Sequence, residues 1–366
     1  MSLRVLCLFL EFNRWHRARS WTYCAQLGLE EGLRANGVRY TTITTPWLPR
    51  VRELCGDQRF DQVWVEIVHQ DILDADTLSW IAERAPVRIG FAPESLAYDE
   101  EAYATWPRYR ARKQEVKQRL KFLTHALLVD ETDAAEVDAE GDVRAAWWLS
   151  AVPQRFVVGA VEAVSAGPAI FSGSLYGKRA TLLEDPALAD LLVAQRSPEA
   201  GTQYPRLFER LHMIATGWVK RQLPAPGAAN DLYLLALRRL RRRIFRRWLQ
   251  SLRQAAMVVN LPHLVGAYPG RVVEAMAVGR PVISWDVPER PRNRALFEEG
   301  REIVFFPGTD ASALAAAIRR LQADPALAAA MAANAAQKVR RLHTVERRVG
   351  QIIAWAETGD ESVFSP

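Results

Sequence analysis

Residues 268–306, YPGRVVEAMAVGRPVISWDVPERPRNRALFEEGREIVFF, carry the clearest structural pattern in this chain. This pattern predicts a loop, a short helix, a tight glycine turn, a buried strand and a polar loop. Pro269 and Gly270 mark the helix start, where the first backbone N–H groups lack partners within the helix and can bind an anion. Gly279 is the expected end of the helix, and residues 281–284 form the expected next strand.

Two charged side chains lie near this helix start. Arg271 and Glu274 are three residues apart and therefore share one face of the helix. Backbone amides suit phosphates and a carboxylate suits ribose hydroxyls, so the arrangement indicates a site for a nucleoside diphosphate. Two alternatives stay open: Glu274 only complements the helix dipole, and Arg271 caps a neighbouring strand end.

The same region carries a resemblance to a known family. Residues 272–284, VVEAMAVGRPVIS, resemble the EAMAxGxPVI signature of the GT-B glycosyltransferases, especially family 4 and its spore-coat-protein-like relatives. Residues 262–277 resemble the family's loop PSxxEGFGxxxxEAMA, and residues 169–184 resemble the relatives' FxGSxYxxR strand and turn. Residues 305–335 are similar to the strand and two alanine-rich helices that follow. The resemblance covers about residues 168–350 and is weak over the N-terminal half.

This resemblance implies a GT-B α/β fold, in which two Rossmann-like doubly wound domains face a central cleft and the C-terminal domain binds the nucleotide-sugar donor. One position departs from the family. Its paired glutamates, eight positions apart, would fall on positions 266 and 274, but Gly266 replaces the first. The family's usual contact to the donor sugar is therefore not expected. Family 4 implies retention at the anomeric carbon, but without the first glutamate retention and inversion both stay open.

Composition agrees with a two-domain enzyme. A chain of 366 residues, 49% hydrophobic and 25% charged, suits two globular domains. No apolar run reaches the roughly 18 residues of a spanning helix, and residues 4–10, RVLCLFL, are too short for a signal peptide and predict a first strand. The three cysteines, Cys7, Cys24 and Cys55, are too widely spaced for a disulfide framework or a zinc site. The expected location is the cytoplasm.

Alternating strand and helix patterns define the domains. We expect an acceptor-binding domain over residues 1–160, a linker within residues 151–168 and a nucleotide-sugar-binding domain over residues 168–345. By analogy with the family, residues 346–366 form a helix that crosses back to the first domain. A long basic helix is expected at residues 108–122.

Ligands collect at the carboxyl ends of strands in such sheets, which places further donor-site candidates. Gly173 and Ser174 follow the first strand of the second domain, and Lys178 and Arg179 come just after them. Glycine lets backbone approach phosphate, and two cations can neutralise a diphosphate without a metal. The alternative is a plain turn with a solvated cation pair, although Arg179 matches the arginine of the relatives' motif. His263 is either a further donor contact or a hydrogen-bonded loop histidine.

The acceptor is expected to bind to the first domain. The loop that carries Arg14, Trp15 and His16 is rich in cations and aromatic surface, which suits a phosphate-bearing or sugar acceptor; the alternative is a basic surface loop. His69 directly follows a predicted strand and is the first candidate for a catalytic base, with Glu94 second. Structural or solvated roles are the alternatives for both.

An arginine-rich segment, residues 232–254, predicts a basic amphipathic helix. Its apolar stripe consists of Leu237, Leu240, Ile244, Trp248 and Leu252, and seven arginines at positions 238, 239, 241, 242, 243, 246 and 247 cover the other faces. Three roles are consistent with this pattern: a core helix with a solvated face, attachment to an anionic membrane surface, or nucleic-acid binding. The net charge of +6 is modest for a dedicated nucleic-acid binder.

The sequence therefore predicts a metal-independent, retaining glycosyltransferase. It would transfer a sugar from a nucleotide-diphosphate donor to a hydroxyl of a sugar, lipid-linked or small-molecule acceptor, and would need no cofactor besides the donor. Two alternatives stay open. One is a GT-B sugar-nucleotide epimerase or phosphorylase; the other is a non-catalytic protein that binds nucleic acid or a membrane surface through the arginine helix, in the latter case peripheral to the inner face of the membrane.

Overall fold

The computed structural model describes residues 2–8, 28–68, 73–161, 167–173, 175–195 and 206–364, with the side chains of residues 206–209 excepted. It contains two fully parallel sheets with helices packed against them, which confirms the expected α/β architecture.

The first domain contains a six-stranded sheet in the order β2-β1-β3-β4-β5-β6. Its strands are β1 (Arg4–Leu8), β2 (Arg39–Ile43), β3 (Gln62–Glu66), β4 (Val87–Ala92), β5 (His125–Leu128) and β6 (Arg144–Trp147). Its helices are α1 (Leu29–Ala35), α2 (Val51–Cys55), α3 (Ala75–Arg84), α4 (Glu100–Thr105), α5 (Arg112–Leu120) and α6 (Glu131–Glu140). Strand β3 is buried along its whole length because helices cover both faces of the sheet.

The second domain contains a five-stranded sheet in the order β11-β10-β9-β7-β8. Its strands are β7 (Ala169–Ser172), β8 (Leu192–Gln195), β9 (Met257–Asn260), β10 (Val282–Trp285) and β11 (Val304–Phe306). Its helices are α7 (Lys178–Leu183), α8 (Arg206–Lys220), α9 (Pro226–Gln254), α10 (Gly270–Ala277), α11 (Pro291–Arg294), α12 (Ala311–Ala323) and α13 (Pro325–Leu342). Helix α10 ends as expected, with Gly279 in the left-handed conformation just after the cap at Val278.

The expected long basic helix over residues 108–122 is wrong in its first turn. A 3₁₀ helix, Pro107–Ala111, precedes α5, which begins only at Arg112. Pro107 fixes its own backbone angle and has no N–H to donate, so it begins a separate short turn at this point.

A last helix, α14 (Val345–Thr358), packs on the first domain. Its Val349 lies against Gly32 of α1, where an added Cβ would come within 2.4 Å of the valine side chain. The Trp355 ring lies edge-on to His125 of β5, with 4.9 Å between ring centroids. The chain thus passes from the second domain back onto the first.

The arginine-rich helix α9 packs along the first domain. The Arg238 Nε donates to Glu30 Oε2 of α1 at 2.8 Å, and Arg242 lies 3.5 Å from Glu31. Arg241 is buried. The inner arginines are therefore protein contacts, whereas Arg239, Arg243, Arg246 and Arg247 are exposed. Among the helices described, none is long and apolar enough to span a bilayer.

Candidate active site

Two arginines meet at the carboxyl end of β7. Arg179, in the first turn of α7, is 1% exposed, and its Nε donates to the carbonyl oxygen of Pro262. Its guanidinium lies 4.4 Å from the ring centre of Tyr176 and 5.3 Å from that of Phe171. Arg271, in the first turn of α10, places its guanidinium 5.4 Å from the same Phe171 ring. Two elements distant in sequence thus bring two cations to one point.

The two cations affect the ionisation of their surroundings. Burial, and next the charge of Arg271, lower the pKa of Arg179 to about 9, and burial lowers the pKa of Arg271. Burial and then the same two arginines hold the pKa of His263 well below its usual range, so its imidazole is neutral. Its Nδ1 accepts a hydrogen bond from the Val265 N–H at 2.9 Å. A bound anion would relieve this like-charge repulsion.

Backbone lies close to this cation pair. A Cβ on Gly173 would come within 3.1 Å of the Arg271 Nη2 and 3.0 Å of the Phe171 ring, so glycine allows the guanidinium to lie against the chain. Ser174 lies outside the described residues. Lys178 is exposed at the start of α7.

The start of α10 completes the cluster. Gly270 is buried as the first helical residue after Pro269, and no described side chain caps this end of the helix. One turn on, Glu274 is 1% exposed, and its Oε2 accepts a hydrogen bond from the Trp248 Nε1 at 2.7 Å. Its Oε1 has no hydrogen-bond partner among the described residues. Burial raises the pKa of Glu274 to about 7.

Sequence reasoning missed the contact with Trp248, which it assigned to the apolar stripe of α9. The indole is only partly buried, and its N–H points to the carboxylate 26 positions away in sequence. Helical spacing shows which face a residue occupies but not which partner its polar edge meets.

A cavity of about 360 Å³ lies beside the cluster, between the two domains. The first domain contributes aromatic side chains, Tyr98 and Trp106, and the second contributes Tyr176 and Trp285. The Trp106 and Tyr176 rings meet edge-on across the domain boundary, with 5.4 Å between centroids. Further lining residues include Lys178, His263 and Gly266. The cavity is suited to sugar rings, since aromatic faces pack well against their C–H surfaces.

An ion pair crosses the cleft at Gly266. The Arg290 Nε of the second domain donates to Asp130 Oδ1 of the first at 2.6 Å. Ser95 links them, since its Oγ donates to Asp130 Oδ2 at 2.7 Å and accepts from the Gly266 N–H at 2.9 Å. A Cβ on Gly266 would lie 2.5 Å from Asp130 Oδ2 and 2.9 Å from the Arg290 Nε. The space that a side chain at position 266 would use is therefore filled by this pair.

The catalytic and acceptor candidates of the first domain have mixed outcomes. Glu94 follows β4, and its Oε2 accepts a hydrogen bond from Arg112 Nη1 at 2.5 Å, close to the hydroxyl of Tyr98. Tyr98 lines the cavity, so Glu94 lies next to one of its wall residues. His69, Arg14, Trp15 and His16 lie outside the described residues.

Comparison with known proteins agrees with these features. Residues 192–354 match the model of a family described as glycosyl transferase-like. No curated protein matches the sequence. Anabaena HepE, solved in complex with UDP and glucose, is 13% identical, with a TM-score of 0.56 over 98% of this chain and 100% of that one.

Two further solved structures share the architecture. Sucrose-phosphate synthase from Thermosynechococcus elongatus is 14% identical, with a TM-score of 0.56 over 98% of this chain and 100% of that one. A glycosyltransferase from Rickettsia africae is 9% identical, with a TM-score of 0.55 over 97% and 98%.

The fold is therefore GT-B, with two Rossmann-like domains and a cleft between them. Within this fold, the second domain matches the glycosyl transferase-like family, which agrees with the glycosyltransferase that the sequence predicts.

Proposed function

We propose that the protein transfers a sugar from a nucleoside diphosphate to an acceptor hydroxyl, with the diphosphate bound where Arg179 and Arg271 converge. The observation that carries this proposal is the convergence of both guanidiniums on the Phe171 ring, beside the uncapped start of α10. A diphosphate there restores favourable charge to both, and it accepts hydrogen bonds from the first-turn amides at Gly270.

The remaining donor contacts follow from position. Gly173 and Ser174, which follow β7 in the sequence, are proposed to donate backbone N–H groups, and Lys178, which lines the cavity, is proposed to contact the diphosphate. His263, neutral and at the cavity wall, donates from its second ring nitrogen. The free Oε1 of Glu274 accepts a hydrogen bond from a ribose hydroxyl, while Trp248 holds the other oxygen.

Catalysis in this scheme rests on the leaving group. Negative charge develops on the departing diphosphate, and fixed cations and helix amides stabilise it without a metal. We propose retention at the anomeric carbon, on the resemblance to family 4. Gly266 lacks a carboxylate, and Asp130 and Arg290 occupy the space beside it, so this pair is proposed to face the donor sugar.

The acceptor enters the cavity from the first domain. Arg14, Trp15 and His16 are proposed to bind it, with His69 or Glu94 accepting its hydroxyl proton. Closure of the two domains over the donor would exclude water that could otherwise hydrolyse it.

The test is calorimetric titration with nucleoside diphosphates, beginning with UDP because HepE is solved with it. We expect one diphosphate to bind and its monophosphate to bind at least about tenfold more weakly. Arg179→Gln should weaken binding by at least about tenfold, whereas Arg319→Gln, on the exposed face of α12, should not change it. Equal affinity of the folded Arg179→Gln variant and the wild type would refute the site.

Measurements of sugar transfer test metal independence and retention. With the responding UDP-sugar or equivalent, the rate should be unchanged by EDTA, and the anomer formed should match that of the donor. Loss of activity in EDTA, restored by Mg²⁺, would contradict metal independence, and an inverted product would contradict retention.

A further inference from the structure

Exposed apolar side chains are concentrated on one helical hairpin, formed by α8 and α9. Of the seven large hydrophobic side chains that are strongly exposed in the described part of the chain, five lie between residues 213 and 235. Met213 and Ile214 on α8 are 64% and 61% exposed, and Leu232 on α9 is 70% exposed. Burying such side chains is favourable, so their clustering marks an interaction surface.

Cations flank the apolar side chains on α8. Met213, Ile214 and Leu223 line a shallow groove of about 450 Å³, whose edge is formed by Arg210 and Arg221. Residues 210, 213, 214 and 221 recur at intervals that keep them on one exposed face of the helix and its end.

On α9, exposed apolar and basic side chains likewise lie along one face of the helix. Leu232, Leu235, Arg239, Arg243 and Arg246 follow one another at three- and four-residue spacing, and all five are exposed. The apolar residues occupy the hairpin tip and the arginines lie behind them. We call the exposed faces of both helices the hairpin surface.

Charge is divided unequally between the hairpin and the rest of the chain. Residues 206–254 contain twelve of the 48 lysines and arginines but only two of the 42 acids. The segment therefore carries +10, and the remainder of the chain carries −4. The basic character of the protein is a property of this one element.

We propose that the hairpin surface docks on an anionic lipid bilayer. Interfacial helices bind bilayers by inserting apolar side chains at the headgroup boundary while cations pair with anionic headgroups, and this surface offers both. Nucleic acid would pair with the arginines but would leave Met213 and Ile214 in water. A second copy of the hairpin would bring like charges together.

The hairpin packs against the first domain, so docking would also position that domain. Arg50 of the first domain donates from Nη1 to the Leu223 carbonyl oxygen at 2.7 Å, and α8 packs on the 3₁₀ helix Thr45–Arg50. This segment follows β2, at the carboxyl edge of the sheet from which Glu94 and Asp130 also extend. Docking would therefore hold the acceptor side of the cleft near the lipid surface. The inference does not depend on the proposed donor site.

The experiment is co-sedimentation of the full chain with vesicles of phosphatidylcholine, with and without about 30% phosphatidylglycerol. We expect binding to the anionic vesicles at about 0.1 M salt, at least about tenfold weaker binding at about 0.5 M salt, and no binding to neutral vesicles. Absence of binding to anionic vesicles at the lower salt would overturn the proposal.

Variants distinguish vesicle binding through the hairpin surface from binding through the overall charge of the protein. Arg239→Gln/Arg243→Gln/Arg246→Gln should weaken vesicle binding by at least about tenfold, whereas the control Arg319→Gln/Arg320→Gln, on exposed α12, should change it less than about twofold. Met213→Ser/Ile214→Ser should also weaken it, with Val193→Ser as the exposed apolar control. Equal losses from hairpin and control variants would refute the surface.

The other occupants are outcomes of the same assay. RNA is added to compete with the vesicles for the protein. If RNA displaces the protein from the vesicles at a lower concentration than added anionic lipid does, the result would contradict the proposal in favour of nucleic acid. A dimer in light scattering that Met213→Ser/Ile214→Ser dissociates would contradict it in favour of a second copy.

Discussion

Arginine side chains lie at the carboxyl edges of both sheets, but the groups that face them differ. At the first edge they face carboxylates. Arg112 faces Glu94, and Arg290 crosses the cleft to face Asp130. Burial lowers the pKa of both guanidiniums, but the carboxylates outweigh it and raise the pKa values. At the second edge Arg179 lies beside Arg271, and burial with that like charge lowers its pKa.

The two edges therefore differ in role. At the first edge, the Arg290–Asp130 pair joins the two domains and the Arg112–Glu94 pair lies within the first domain, so removing one partner of either pair leaves a buried charge unpaired and should destabilise the protein. Adjacent like charges at the second edge cost stability, and such a cost persists where the charges bind a ligand. Substitutions at the first edge should therefore change mainly stability, and substitutions at the second edge should change mainly ligand binding.

Removing Asp130 should have the largest effect. Asp130→Ala leaves Arg290 without its carboxylate and deletes the bond from Ser95, so we expect a loss of about 3 kcal/mol in the free energy of unfolding. Urea denaturation measures it. The matched control is Glu100→Ala, which breaks an exposed pair with Arg110 and should cost much less. Equal costs would mean that the first edge does not hold the domains together.

Neutralising Glu274 should stabilise the protein. Burial raises its pKa from 4.5 to about 7, so the folded state holds the proton more tightly than the unfolded state. Stability is therefore lost as pH rises from 4.5 to 7, by up to about 3 kcal/mol, and the cost remains above pH 7. The free energy of unfolding of Glu274→Gln should exceed that of the wild type by most of this amount at pH 8, and by much less at pH 5.

The same variant also tests the role of Glu274 in nucleotide binding. Glu274→Gln should bind the nucleotide more weakly while it unfolds at higher urea concentration. A stability difference that does not change with pH would show that the carboxyl is not the titrating group.

Adding a methyl group at position 266 should disturb the interdomain pair. Gly266→Ala places Cβ 2.5 Å from Asp130 Oδ2, so we expect a loss of about 2 kcal/mol. Gly217→Ala in α8, where an added Cβ meets nothing within 4 Å, should instead be neutral or stabilising. Urea denaturation of both tests this, and a neutral Gly266→Ala would show that the cleft has room at this point.

The smallest effect compares two arginines directly. Arg271→Gln should weaken nucleoside diphosphate binding by about tenfold, roughly 1.4 kcal/mol, because it removes one of the two converging cations. Arg290→Gln should leave that affinity within about twofold, since Asp130 holds its guanidinium on the other side of the cleft. Calorimetry distinguishes them, and the reverse order would exchange the roles of the two edges.

Much of the fold was predictable because its signals are local. Apolar strands, Gly279 at a helix end and the motif at residues 272–284 each depend on neighbours in sequence. The site was less predictable. Asp286 and Asn293, which follow β10, have partners that local spacing does not show: Arg294 pairs with Asp286, and the Tyr268 N–H donates to Asn293 Oδ1 at 3.1 Å. Arg290, between them, lines the cavity together with Val287 and Pro288.

By itself, the sequence determined the class of the protein, the second domain's helix start with Arg271 and Glu274, and the basic hairpin, since each is a pattern within a short stretch of chain. Only the tertiary structure decided that Arg179 meets Arg271, that Trp248 holds Glu274, and that Asp130 and Arg290 fill the space beside Gly266. These contacts join residues 26 to 160 positions apart, and packing between elements, not local spacing, brings them together.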